Sequence, residues 1–211
     1  MFYYIRFLKK LQCPQTLASV QILPYNICMD KTITYIVTGC TGYVGNVLTK
    51  KLLDEGCRVV GLARSREKAQ RIFGEHAPTL VYGDISDCNA LDALFAGDGP
   101  FVVIHTIAKV TIGEGSRREL YNVTVEGTRE VTARCITHHA RLLHISSTEA
   151  LGGIFDEDAT YVPDPARCET DYARANADAD RIVLDPGRER GLNATILLPP
   201  TALAPGDSSY S

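Results

Sequence analysis

A short β-branched run, residues 32–37, leads into Gly39-x-x-Gly42-x-x-Gly45, and a segment of helical periodicity follows at once. Few folds accommodate that succession. Glycine is needed three times: for a tight turn, for close approach of backbone to a bound group, and for tight packing of helix on strand. The helix that opens there offers free N–H groups and the positive end of its dipole, which suits a pyrophosphate. A glycine triplet alone is weak evidence; the strand before it and the helix after it make it informative.

The rest of the chain repeats the alternation. Residues 43–55 carry Val44, Val47, Leu48 and Leu52 at helical spacing and end at Gly56. A strand at 58–63, a helix at 66–73 and a strand at 79–82 follow, then a helix at 87–95 capped by Ser86. Residues 101–106 read as a strongly apolar strand, 117–138 as one long helix and 141–146 as a fifth strand. After a polar loop at 152–168, residues 169–184 read as a helix stopped by Asp185-Pro186-Gly187, and 194–198 as a last strand. Strands alternating with helices imply right-handed crossovers. The fold class expected is α/β, a doubly wound, mostly parallel Rossmann-type sheet with helices on both faces.

Composition narrows the functional classes. A net charge of −3 over 211 residues gives no reason to expect nucleic acid or an anionic membrane as partner. Seven scattered cysteines, none spaced as C-x-x-C, argue for reduced thiols in a cytoplasmic protein and against a disulfide framework or zinc site. His138-His139 is adjacent rather than i, i+4, so it reads as a solvated helix end, and no metal is expected. No stretch approaches the roughly 20 apolar residues of a membrane span. Residues 1–29 hold Arg6, Lys9 and Lys10 and no acid, but polar residues and Pro14 interrupt any apolar segment. A signal peptide fits poorly, so a flexible extension is expected, with the dinucleotide-binding domain at 30–211.

The glycine spacing is one residue longer than G-x-G-x-x-G, and that form resembles the short-chain dehydrogenase/reductase superfamily. From Thr32 to about Asp207 the chain is similar to its extended branch, the epimerase/dehydratase and dihydroflavonol-reductase-like proteins. The resemblance is carried by Gly83-Asp84-Ile85, by His105-Thr106-Ile107-Ala108, and by Tyr121-Asn122-Val123 with Glu126-Gly127-Thr128. Ser146-Ser147-Thr148 with Gly152, the run Tyr172-Ala173-Arg174-Ala175-Asn176, and Ala204-Pro205-Gly206-Asp207 agree with it. It implies cofactor contacts from Gly39, Thr41, Gly42, Tyr43, Val44, Gly45, Asp84, Ile85, Thr106, Ala108, Tyr172 and Pro199. It also implies that Ser147, with Ser146 as fallback, binds the substrate oxygen and that Tyr172 passes the proton.

Two positions qualify the activity. The second strand ends in Leu62-Ala63-Arg64-Ser65-Arg66 without an acid to take a ribose 2′-hydroxyl, and Arg64 could pair with a 2′-phosphate. NADP is therefore favoured, with NAD the alternative. Four residues after Tyr172 the family has Lys, whereas this chain has Asn176. An amide on the same helix face can bond a ribose hydroxyl, but it has no charge to draw a tyrosine down from its unperturbed pKa of about 10. Lys109, at the end of the fourth strand, is a possible substitute. Glu149 reads as a surface carboxylate. Relatives continue into a smaller substrate domain, expected to be largely missing here, which leaves the substrate unknown; a homodimer is compatible with the family. Three functions remain open: an NADP-dependent reductase or dehydrogenase, an NAD-retaining epimerase or dehydratase, and a non-catalytic or truncated dinucleotide binder.

Overall fold

The computed structural model describes residues 30–109, 117–153 and 161–200. The expected extension at 1–29, part of the polar loop and the motif at 204–207 lie outside these residues. Six strands form one sheet: β1 (Thr34–Thr38), β2 (Arg58–Ala63), β3 (Thr79–Tyr82), β4 (Phe101–His105), β5 (Arg141–Ile145) and β6 (Ala194–Leu197). Their order is β3-β2-β1-β4-β5-β6, and every pairing is parallel. The order reverses between β1 and β4, which opens a crevice beyond their carboxyl ends.

The sheet is covered on both faces because its strands divide their side chains by alternation. From β1, Ile36 enters a layer with Leu91, Val131, Leu142 and Val183, while Tyr35 and Val37 enter the opposite layer with Leu52, Val59 and Phe73. The first layer is supplied by α3 (Cys88–Ala93), α5 (Gly127–Thr137) and α6 (Asp171–Glu189). The second is supplied by α1 (Tyr43–Asp54) and α2 (Arg66–Phe73). All five residues of β1 are consequently buried.

Four boundaries differ from the expectations. β1 begins at Thr34, because Thr32 is held in a turn by bonds from its N–H and Oγ1 to Asp30 Oδ1. Asp87, not Ser86, caps α3: the Ser86 hydroxyl is engaged by Asp84 Oδ1, whereas Asp87 Oδ1 accepts from Asn89 and Ala90 N–H. The long helix is divided, with α4 (Arg117–Tyr121) joined to α5 by a π-helical turn at Asn122–Glu126. Finally, α6 continues through Pro186 to Glu189. The proline removes one donor, but Val183 and Leu184 anchor the helix in the core just ahead of it.

One polar seam crosses the core. His105, fully buried, places Nδ1 2.6 Å from Thr38 Oγ1 and Nε2 3.1 Å from Thr128 Oγ1, and its ring stacks on His144. Burial, and secondarily the neighbouring His144, pushes the His105 pKa well below its ordinary 6.5, so the imidazole is neutral. Because the folded value lies below the unfolded one, the unfolded chain binds the extra proton. Stability is therefore complete above about pH 6.5 and falls as the pH drops below it, by up to about 1.4 kcal/mol per pH unit from this residue. Urea midpoints at pH 7.5 and 5.5 should show the loss, and His105→Gln should reduce it. An equal loss in that variant would exclude His105 as the source.

Candidate functional site

Gly39, at φ 77°, makes the turn after β1, and its carbonyl accepts from Gly42 N–H at 2.8 Å. Gly42 is the N-cap of α1 and supplies no side-chain capping bond. The first-turn amides are thus left for an outside acceptor. Gly45 faces the turn closely enough that a Cβ there would lie 2.1 Å from Gly39 O. At Gly39, with its positive φ, and at Gly45, with no room for a Cβ, the cradle requires glycine.

Beyond the cradle lies a cleft of about 510 Å³ at the ends of β1 to β4. It gathers eight of the residues expected at a cofactor: Gly39, Thr41, Gly42, Arg64, Asp84, Ile85, Thr106 and Ala108. Thr106 Oγ1 donates to Thr38 O and fixes the end of β4 beside the glycine turn. Arg64 is 79% exposed at its side chain and stands 3.8 Å from Asp84, across the ends of β2 and β3. Tyr43, Val44 and Gly45 form the first turn of α1 and do not line the cleft; the Tyr43 hydroxyl is enclosed without a partner among the described residues.

Leu62, Lys68, Gly83, Glu119 and Val123 also line the cleft and were not expected there from the sequence. Lys68 carried a signal, since it lies four residues after Arg64 at the start of α2. Gly83 is required where β3 leaves the sheet, because a Cβ there would come within 2.3 Å of the Ala90 Cβ. Glu119 and Val123 reach the cleft from α4 and the π-helical turn, which no local pattern announces.

The expected catalytic residues are not among those that line this cleft. Ser146 is buried and donates to Asp180 Oδ2 at 2.8 Å, whereas the partly exposed Ser147 accepts from Glu149 N–H at 3.2 Å. The fallback serine is thereby committed to the core. Tyr172 stands on α6 and packs with Leu120 and Val125. Asn176 is 1% exposed, and its amide donates to Tyr172 O at 2.8 Å. A short amide on that face satisfies the preceding helical turn instead of reaching outward. Pro199 follows β6 and accepts from Thr148 N–H at 3.1 Å. His138 lies exposed at the end of α5 and stacks on Phe95. Among the described residues no cluster of three His, Cys, Asp or Glu could hold a metal, and no helix is long and apolar enough to cross a membrane.

Fold and cradle together define a Rossmann-type domain with a glycine turn at its topological switch point. Comparison with known proteins makes the assignment more particular: residues 35–211 match the NAD dependent epimerase/dehydratase family, and the chain belongs to it. Sterol demethylase protein B of Methylococcus capsulatus is 34% identical over 182 residues, covering 83% of this chain and 53% of that protein. The fold is shared with a short-chain dehydrogenase/reductase superfamily protein of Agrobacterium tumefaciens solved with bound NAD (TM-score 0.64, 23% identity, 78% of this chain and 48% of that one). It is also shared with yeast methylglyoxal/isovaleraldehyde reductase solved with NADPH (TM-score 0.62, 22% identity, 80% and 58%). The chain spans about half the length of the curated relatives it matches.

Proposed function

We propose that this chain forms the cofactor-binding part of an NADP-dependent oxidoreductase that interconverts a carbonyl and an alcohol. The observation that carries the reading is the glycine cradle opening onto a cleft with Arg64 and Lys68 at its β2 end. Gly39, Gly42 and the first-turn amides of α1 would hold the pyrophosphate, and Asp84 and Ile85 would flank the adenine. Arg64 and Lys68 would clamp a 2′-phosphate through charge-assisted bonds. When bound, the cofactor supplies or accepts the hydride. Ser147 would orient the substrate oxygen, and Tyr172 would hold the proton that moves to or from it.

Relatives support either nicotinamide cofactor: the family is described by NAD, one structural neighbour carries NAD, and another carries NADPH. Arg64 and Lys68 favour NADP in this chain. A second reading, a dinucleotide binder with little turnover, is favoured by Asn176, whose buried amide is turned onto the helix.

Titration with NADPH and NADH, followed by NADPH consumption against a panel of aldehydes and ketones, tests both readings. Binding without turnover selects the second, and binding of neither nucleotide overturns both. The double variant Arg64→Ser/Lys68→Ala should weaken NADPH about a hundredfold and change NADH less than about threefold, since two charged contacts go in one case and none in the other. Equal losses for the two nucleotides would remove the 2′-phosphate from these residues.

A further inference from the structure

The cleft has a second charged group, at the end away from Arg64. Lys109 follows β4, so it lies across the glycine turn of β1 from the ends of β2 and β3. Its ammonium forms an ion pair with Glu119 of α4, and both residues line the cleft. The pair is supported on both sides. Lys109 N–H donates to the buried Thr124 Oγ1 in the π-helical turn, and Leu120, next to Glu119, packs with Tyr172 of α6. The Lys109 side chain is 30% exposed, so the ammonium is neither buried in the core nor free in solvent.

We infer that Lys109 and Glu119 form a diol-binding pair that takes the ribose of the nicotinamide half of the dinucleotide. An ammonium only donates and a carboxylate only accepts, whereas each hydroxyl of a vicinal diol does both. A side-by-side Lys and Glu therefore match a diol, one partner for each role. The position agrees. With the 2′-phosphate at Arg64 and the pyrophosphate over the glycine turn, the second nucleoside extends over β4 toward Lys109. Asn176 leaves this task open, since its side chain is buried and one of its amide N–H groups is turned back onto Tyr172 O. The inference rests on the cofactor reading above. A pyrophosphate contact by Lys109 is the competing use of the same charge, and Glu119 separates the two, because a carboxylate beside a phosphate is repulsive.

The test uses two probes on the same chain: NADPH, which has the second ribose, and 2′-phospho-ADP, which has the pyrophosphate without it. Lys109→Met and Glu119→Gln should each weaken NADPH about tenfold, the loss of one charged hydrogen bond, and leave 2′-phospho-ADP within about twofold. If Lys109→Met weakens both probes and Glu119→Gln tightens them, the lysine serves the phosphates and the diol assignment falls. Unchanged NADPH affinity in both variants also overturns it, while 2′-phospho-ADP binding by the unaltered chain keeps the cofactor reading intact. Failure of the unaltered chain to bind either probe overturns both.

Discussion

Gly45→Ala is expected to weaken dinucleotide binding by more than about a hundredfold and to lower stability by about 1–3 kcal/mol, the usual range for overpacking a tight contact. The added Cβ would lie 2.1 Å from Gly39 O, 2.8 Å from Gly39 C and 2.9 Å from Thr106 Oγ1. None of these can retreat cheaply. Gly39 O is bonded to Gly42 N–H, and Thr106 Oγ1 is bonded to Thr38 O at the end of the central strand. The strain is therefore relieved by moving α1, and the amides proposed to hold the pyrophosphate move with it. Gly97→Ala is the control, because a Cβ there meets nothing within 4 Å. Nucleotide titration and urea unfolding of both variants measure the two effects. A Gly45→Ala protein binding NADPH within about threefold of the original would show that the cradle is not the nucleotide site.

The same contact explains why the glycine spacing was so informative. Three glycines at 39, 42 and 45 encode a backbone approach that is local in sequence, so reading them required no knowledge of the rest of the molecule. Strand and helix periodicity was legible for a similar reason: β1 alternates between two layers, and Ile36 and Val37 face opposite ways. The π-helical turn at Asn122–Glu126 was not legible. It inserts one residue into a turn without changing which residue types occur, and the contact it makes, Thr124 Oγ1 accepting from Lys109 N–H, lies across a connection in the chain. The cap of α3 failed differently. Ser86 and Asp87 can both cap, and the choice was made by Asp84, which takes the Ser86 hydroxyl first.

The candidate site divides along the same line. Asp84 and Thr106 were placed by the motifs that carry the family resemblance, whereas Arg64 could be placed from the strand pattern, because strand ends in such a sheet converge on one crevice. Helix-borne residues could not. The i, i+4 relation correctly put Asn176 on the face of Tyr172, but it gave no hint that the amide would bond the Tyr172 carbonyl. The Lys109–Glu119 pair depends on how α4 docks, and ten positions separate the two residues in sequence. Asp180 is the extreme case. In the sequence it is one more acid on a helix, and only the tertiary structure shows it completely buried.

Asp180→Ala should accordingly destabilise the protein by about 3–5 kcal/mol, the range for removing one member of a buried polar cluster. Its carboxylate accepts from Tyr161 OH at 2.6 Å and from Ser146 Oγ at 2.8 Å, and it faces His144 Nε2 at 3.2 Å without hydrogen-bond alignment. Burial, reinforced by the adjacent carboxylate, pushes the Tyr161 pKa far up, so the phenol keeps its proton and remains a donor. Truncation would leave two buried hydroxyls without their acceptor and open a cavity beside them. Asp180→Asn keeps one acceptor oxygen and most of the volume, so its cost should be smaller by about 1–2 kcal/mol. Tyr161→Phe and Ser146→Ala each remove one arm, and in Asp180→Ala the two arms have nothing left to bond. Each substitution should therefore cost less in that background than in the unaltered chain, a coupling that urea midpoints of the double variants would measure. Additive losses, or an Asp180→Ala cost below about 1 kcal/mol, would show that the carboxylate is not the common anchor. The effect should also reach the site, because Ser146 precedes Ser147 at the end of β5. Freed of Asp180, that strand end no longer holds the candidate substrate-binding hydroxyl at a fixed height above the sheet.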